Sequence, residues 1–153
     1  MSITKNSQTN IIDNLVVDQI LKSDELYSIM ENSKIKSGPF DGGSLVLARG
    51  FHKIIKGDFV YLESKRNSLK IAEHYGLRLN NGAILDGEGY ASNETEWKRR
   101  YIYEELVDYP LTTKRGIRPE SIHIIDEEAS QKIADLIIFY MEKRIINKQL
   151  IAS

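Results

Sequence analysis

The spacing of apolar residues changes twice along this chain, and this change constrains the fold more than any other feature. Steps of three and four residues, typical of helices, predict helices at 10–21, 44–56, 94–106 and 126–147. A shorter helix is predicted to begin after Ser23 and to end before Ser37. Between 59 and 86 apolar and polar residues alternate as in strands. Because helices precede and follow the strands, the sequence predicts the α+β class, with an antiparallel sheet packed on the central buried helix at 44–56.

The Asn81-Gly82 pair predicts a tight hairpin within the strand region. Both central residues of a type I′ turn need positive φ, which asparagine and glycine tolerate. A strand over 71–79 is therefore expected before the turn, and a short apolar strand over 83–86 after it.

Side-chain oxygens that can accept backbone N–H groups are predicted to cap three helices, at Ser23, Asn93 and Asp126. Glu96 follows Asn93 by three residues, which is the spacing of a capping box. Between the last two helices, the turn-forming residues of 110–121 predict a loop, and 122–125 predicts another strand.

Length and charge limit the classes of protein. The 153 residues predict one globular domain over 10–153 after a flexible N-terminus at 1–9. With 21 Lys and Arg against 22 Asp and Glu, the formal charge of -1 argues against nucleic acid as a partner. No apolar run approaches the roughly 20 residues of a membrane span, and no secretory signal begins the sequence, so we expect a cytoplasmic protein with no membrane partner.

The sequence contains no cysteine, which excludes disulfides, thiolate metal sites and thiol catalysis by the chain as written. Neither His52 nor His123 has Cys, His or acidic residues near it at the spacing of a zinc site. Gly87-Glu88-Gly89 does not connect a strand to a helix as a phosphate-binding loop does. We therefore expect no metal and no cofactor.

Three polar residues stand in an order that points to nucleophilic chemistry. Ser44 follows two glycines at the start of the predicted buried helix. His74 lies within a predicted strand, and Asp86 ends the strand paired with it. This order resembles the papain-like and transglutaminase-like cysteine enzymes, in which a nucleophilic Cys begins a core helix and neighbouring strands supply His and Asp or Asn. The resemblance covers roughly residues 42–90.

The resemblance implies a catalytic triad of Ser44, His74 and Asp86. His74 would accept the proton of the nucleophile, and Asp86 would orient the imidazole. The positive end of the helix stabilises an oxyanion, so the backbone N–H groups of Gly43 and Ser44 are expected to bind it. The implied activity is that of a hydrolase, deamidase or acyl transferase acting on amide or peptide bonds of a protein or peptide substrate.

Ser44 stands where the cysteine enzymes have their nucleophilic Cys. Three explanations are open: an engineered replacement of a natural Cys, a natural serine nucleophile, or a non-catalytic relative that uses the fold for binding. A serine hydroxyl lacks the partial ionisation of a thiol, so we expect the chain as written to be inactive or very slow. Each residue also has a structural alternative, with Ser44 as a helix cap, His74 as a hydrogen-bonded strand residue and Asp86 as the start of a turn.

The alternative function is a non-catalytic cytoplasmic binding protein or inhibitor, such as an immunity protein or a phage-encoded antagonist. Small size, near-neutral charge and the lack of a metal or phosphate motif fit this class. Aromatic and basic residues predict a surface that suits RNA or an acidic protein partner, at Trp97, Arg99, Arg100 and Arg115. Acidic residues are interleaved there, so a solvated face of mixed charge is the other interpretation.

Overall fold

A computed structural model describes residues 8–35, 43–66, 69–104, 111–118 and 125–152. The helices in this part of the chain are α1 (Asn14–Leu21), α2 (Asp24–Glu31), α3 (Ser44–His52), α4 (Glu94–Glu104) and α5 (Glu127–Ala152). The strands are β1 (Asp58–Arg66), β2 (Leu69–Arg78), β3 (Ile84–Asp86), β4 (Gly89–Ala91) and β5 (Leu111–Arg115). The predicted α+β class is confirmed.

The five strands form one antiparallel sheet in the order β4-β3-β2-β1-β5. Successive side chains of a strand point to opposite faces, so each strand contributes to two layers of packing. Tyr61 and Tyr75 pack with Leu45 and Ala48 of α3 on one face, called here the α3 face. Residues of the other face, called the α4 face, pack with Trp97 and Tyr101 of α4: they are Val60, Leu62, Ile84 and Ala91.

The largest core cluster lies on the α3 face, where α1, α2, α3 and α5 pack together over the sheet. Helix α3 is the central buried helix, as predicted, and seven of its nine residues are buried. At Gly50 it comes so close to α5 that a Cβ would stand 2.5 Å from Ile133 Cγ2. Only glycine permits this approach, because any larger residue would displace one helix from the other.

The hairpin between β2 and β3 is confirmed, with a turn one residue longer than a type I′ pair. Leu79 N–H donates to Ala83 O at 2.8 Å, which leaves Asn80, Asn81 and Gly82 as the loop. Gly82 has a φ of 86°, the left-handed conformation that ends a three-residue hairpin loop. This loop aligns Leu77 with Leu85 across the two strands.

The predicted caps of α2, α4 and α5 are confirmed. Ser23 Oγ accepts from Leu26 N–H at 3.2 Å, and Asn93 Oδ1 accepts from Glu96 N–H at 2.9 Å. Asp126 Oδ1 accepts from Ala129 N–H at 3.1 Å. Local side-chain chemistry therefore fixes where these helices begin.

Three helix boundaries differ from the prediction. Helix α1 begins at Asn14 instead of residue 10, because the Asp13 carboxylate accepts from Leu15 N–H and caps the helix there. Helix α3 ends at His52, although Ile54 and Ile55 continue its apolar spacing; both are buried outside the helix. Helix α5 continues to Ala152, five residues beyond the predicted end.

Two strands were not predicted. Strand β5 lies within 110–121, for which a loop was predicted, and it pairs with β1 from Val60 to Ser64. Strand β4 pairs with β3, opposite Ile84, Leu85 and Asp86. Both strands are short, and pairing within a sheet of five strands stabilises each of them. The strand predicted at 122–125 lies outside the described residues except for Ile125, which is not in a strand.

Residues 1–7 of the N-terminus predicted to be flexible lie outside the described part of the chain. Gln8 and Thr9 are bound to the end of α3. Thr9 N–H donates to Ile54 O at 2.9 Å, and the Gln8 amide donates to His52 O at 2.8 Å.

Candidate functional site

Asp86 is the most buried member of the predicted triad, with 3% of its surface exposed at the end of β3. Its side chain lies on the α4 face, as does that of Ile84 two residues earlier. Asp86 Oδ2 accepts from Trp97 Nε1–H at 2.7 Å and from the Tyr101 hydroxyl. Asp86 Oδ1 accepts from Glu88 N–H at 2.8 Å. Three donors therefore bind this carboxylate, which ties α4 to the end of β3.

Tyr101 connects Asp86 to His74. Its hydroxyl donates to the carboxylate, and its ring stacks on the His74 imidazole with 3.9 Å between ring centroids. Tyr101 was not among the predicted site residues, although its position four residues after Trp97 places both side chains on one side of α4. The four-residue spacing from Trp97 is the feature of the sequence from which a contact of Tyr101 with the sheet could have been predicted.

His74 and Asp86 share the α4 face, as an acid–base pair would require. Leu77 pairs with Leu85, so Asp86 stands across from Gly76, and His74 is one same-face step further along β2. Diagonal neighbours of this kind are about 7–8 Å apart between their Cα atoms. The structure thus brings His74 and Asp86 to one neighbourhood, with the Tyr101 side chain contacting both.

Ser44 lies on the α3 face. It is the first residue of α3, it is buried, and its Oγ accepts from Tyr75 N–H at 3.1 Å. The Tyr75 side chain packs against α3, while the adjacent His74 ring packs against α4. The Ser44 hydroxyl thus binds the backbone of β2 at the residue next to His74, while the His74 ring stacks on Tyr101 of α4.

Gly43 is the N-cap residue of α3 and makes no side-chain cap bond. Its carbonyl accepts from Leu47 N–H at 3.1 Å, which closes the first turn of the helix. The alternative prediction, that Ser44 caps the helix, is wrong. Ser44 is the first residue inside α3, and its hydroxyl accepts a hydrogen bond from β2.

The residues predicted to form a binding surface have four different environments. Trp97 is fully buried and belongs to the core of the α4 face. Arg100 is partly buried, donates to Tyr90 O at 2.6 Å and lies 3.9 Å from Asp86 Oδ1. Arg99 pairs with Glu96 on the same helix at 3.0 Å, and Arg115 on β5 is exposed. These residues do not form one continuous aromatic and basic patch.

His52 lines a surface cavity of about 350 Å³ with Phe59, Asp58 and Arg115. Its ring lies against Phe59, with 4.5 Å between ring centroids. Burial and the nearby Arg49 lower the pKa of His52, so the imidazole is neutral at neutral pH. Within the described residues, no group of three His, Asp or Glu side chains is placed to hold a metal ion.

Comparisons of this chain with protein-family models, curated proteins and solved structures find no significant match. No helix in the described ranges is both long and apolar enough to cross a membrane.

Proposed function

We propose that this chain is a non-catalytic protein-binding domain, of the kind that inhibits or occludes a partner protein. The observation that supports the proposal is that Ser44 Oγ accepts the backbone N–H of Tyr75, while the His74 ring stacks on Tyr101 of α4. A base must come within about 2.6–3.2 Å of the hydroxyl whose proton it accepts. Each of the two groups has a structural contact of another kind, a strand N–H for Ser44 Oγ and the Tyr101 ring for His74.

The hydrogen bonds of the predicted triad also support a structural role. Ser44 Oγ accepts a strand N–H, and Asp86 accepts from two side chains and one backbone group. Buried polar groups that are bound in this way hold elements in place, since leaving them unbound is costly. These hydrogen bonds alone explain why polar side chains stand at positions 44 and 86, without a catalytic role for either residue.

The outward side of α5 supports a binding function. Helix α5 buries Ala129, Ser130, Ile133, Ala134 and Ile137 against the other helices. Opposite them runs a row of outward residues that we call the α5 stripe, consisting of Phe139, Glu142, Lys143, Ile146 and Leu150. Phe139 is 56% exposed, Ile146 55% and Leu150 69%. Large apolar side chains grouped on one helix face are typical of surfaces that bind another protein.

An inactive relative of an amide-bond enzyme, with Ser44 in place of the nucleophilic Cys, is the second proposal. The observation that favours it is the contact of Ser44 Oγ with Tyr75, the residue that follows His74, at the start of a buried helix. A helix N-terminus lowers the pKa of a thiol, so a Cys at position 44 has one of the features of a nucleophile.

Labelling of a Ser44→Cys variant with iodoacetamide at a series of pH values separates the two proposals. For a non-catalytic domain we expect slow labelling, because residue 44 is buried, and we expect His74→Ala to leave the rate and its pH dependence unchanged. The matched control is Ser92→Cys, which places a thiol at an exposed position after β4.

A Ser44→Cys thiol that labels faster than the Ser92→Cys thiol at neutral pH, and loses that advantage in His74→Ala, would overturn the non-catalytic proposal. Such coupling requires the imidazole to face residue 44, and it would support the amide-bond enzyme. Circular dichroism of each variant checks that the fold is retained.

A further inference from the structure

The outward side of α5 changes in character along the helix. Glu128, Lys132 and Asp135 lie on this side nearer the N-terminus of α5, before the α5 stripe, and all three are exposed. From Phe139 onward this side carries three large apolar side chains, at steps of seven and four residues, with one charged pair between the first two of them. A helix whose opposite side already packs on the protein needs only polar residues there, so the apolar half of the stripe is unexplained by the fold.

The middle of the stripe carries one acidic and one basic residue side by side, Glu142 and Lys143. If two copies of α5 lie antiparallel about a two-fold axis between these residues, Glu142 of each copy faces Lys143 of the other. The same axis places Phe139 opposite Ile146 of the second copy, since both lie three to four residues from the axis. It places Leu150 opposite Asp135 of the second copy, beside the half-buried Leu136. This register therefore matches the charged pair at the axis and the apolar pair that flanks it.

A parallel arrangement does not match the charges. It places Glu142 against Glu142 and Lys143 against Lys143, and like charges that face each other across a helix pair are destabilising. Charge complementarity thus selects the antiparallel pair, which has the two-fold symmetry that most homodimers have.

We infer that the α5 stripe binds a second copy of this chain, forming an antiparallel two-fold dimer through the C-terminal half of α5. This inference deepens the proposed function, because it names the partner of the binding surface. A patch of one helix face is at the small end of stable interfaces, which span about 1,200–2,000 Å² in total. The dimer is therefore weak and forms in a concentration-dependent way.

Sedimentation velocity of the full chain over a wide concentration range tests the inference. We expect a reversible monomer–dimer equilibrium, and Phe139→Glu should weaken the dimer by about a hundredfold, since it places two unpaired charges in the interface. A chain that is monomeric throughout the range, or a dimer that Phe139→Glu leaves intact, would overturn it.

Charge reversal tests the antiparallel register. Glu142→Lys alone places Lys opposite Lys, and Lys143→Glu alone places Glu opposite Glu, so each should weaken the dimer. The double variant restores opposite charges and should recover the dissociation constant of the unchanged chain. Lys114→Glu, an exposed position on β5, is the matched control and should have no effect.

A double variant as weak as the single ones would overturn the antiparallel pairing. Circular dichroism and thermal unfolding establish that each variant is folded. Failure of self-association would leave the non-catalytic proposal standing, because the labelling of Ser44→Cys tests that proposal separately.

Discussion

Asp86 shows how one buried residue determines the packing of a helix. Its carboxylate accepts from Trp97 and Tyr101 of α4 and from Glu88 N–H after β3. Both side-chain donors would be unsatisfied without it, and an unsatisfied buried donor costs about 1–3 kcal/mol. The residue that the resemblance made the orienting member of a triad therefore links α4 to the sheet.

Replacing Asp86 by alanine should lower the free energy of unfolding by about 2–4 kcal/mol, because Trp97 Nε1 and the Tyr101 hydroxyl lose their acceptor. Tyr101→Phe should cost about 1 kcal/mol, since it removes one donor and leaves the carboxylate two others. Urea unfolding followed by the fluorescence of Trp97, the single tryptophan, measures both. Asp18→Ala on the exposed side of α1 is the control. Equal stability of Asp86→Ala and Asp18→Ala would contradict the assigned role.

At the scale of elements, the sheet determines which side chains can meet. Adjacent residues of β2 face different helices, so Tyr75 packs with α3 while His74 stacks on Tyr101 of α4. Helix α3 in turn is fixed between the sheet and α5, where Gly50 allows the close approach to Ile133. The positions of α3 and α5 therefore depend on the size of one residue.

Gly50→Ala should destabilise the protein by about 1–3 kcal/mol, although alanine is the better helix former, because its Cβ overlaps Ile133. Ile133→Ala alone should cost about 2–5 kcal/mol through the cavity that it leaves. The double variant should cost less than the sum of the two, since each change relieves the other. Additive costs measured by urea unfolding would show that the two helices do not touch at this point.

For the whole molecule, contacts of three acidic residues attach both ends of α5 to the helices α1, α2 and α3. Two of the acids lie at the start of α5, and the third lies before α1. Asp126 accepts from Lys34 N–H after α2 at 2.8 Å, and Glu127 pairs with Arg49 and Lys53 at the end of α3. At the other end, Asp13 before α1 lies 3.5 Å from Arg144 and 3.6 Å from Lys148.

Each of these attachments uses an ionised acid. Backbone hydrogen bonds from Lys34 and Ala129 lower the pKa of Asp126, and hydrogen bonds from Lys53 and Arg49 lower the pKa of Glu127. A backbone hydrogen bond from Leu15 lowers the pKa of Asp13, with a contribution from Arg144 and Lys148. All three acids are therefore bound more tightly as carboxylates in the folded chain than in the unfolded one.

The protein should lose stability in acid. A lowered pKa in the folded state means that the unfolded chain takes up protons first, so the stabilisation is present above the unfolded pKa of about 4 and lost as pH falls through the folded pKa. Asp126→Asn should be less stable than the unchanged chain at neutral pH and should differ less from it in acid. Urea unfolding at both pH values tests this, with Asp18→Asn as the control for net charge. A stability difference that is constant with pH would contradict the assignment.

The sequence by itself determined the features that depend on neighbouring residues. The caps at Ser23, Asn93 and Asp126 and the hairpin at Gly82 follow from local chemistry, since a side chain meets a backbone group two or three residues away. The α+β class follows from the same source, because apolar spacing records which side of each segment is buried.

Only the tertiary structure decided which residues meet across the chain. A helix can pack on either face of a sheet, and the spacing of residues within α3 does not say which face it takes; packing placed Tyr75 against α3 and the His74 ring against α4. Strand β5 likewise depends on its distant partner β1, and the contact of Tyr101 with Asp86 depends on the angle at which α4 crosses the sheet. Such contacts are set by the total burial of many residues, so no local pattern encodes them.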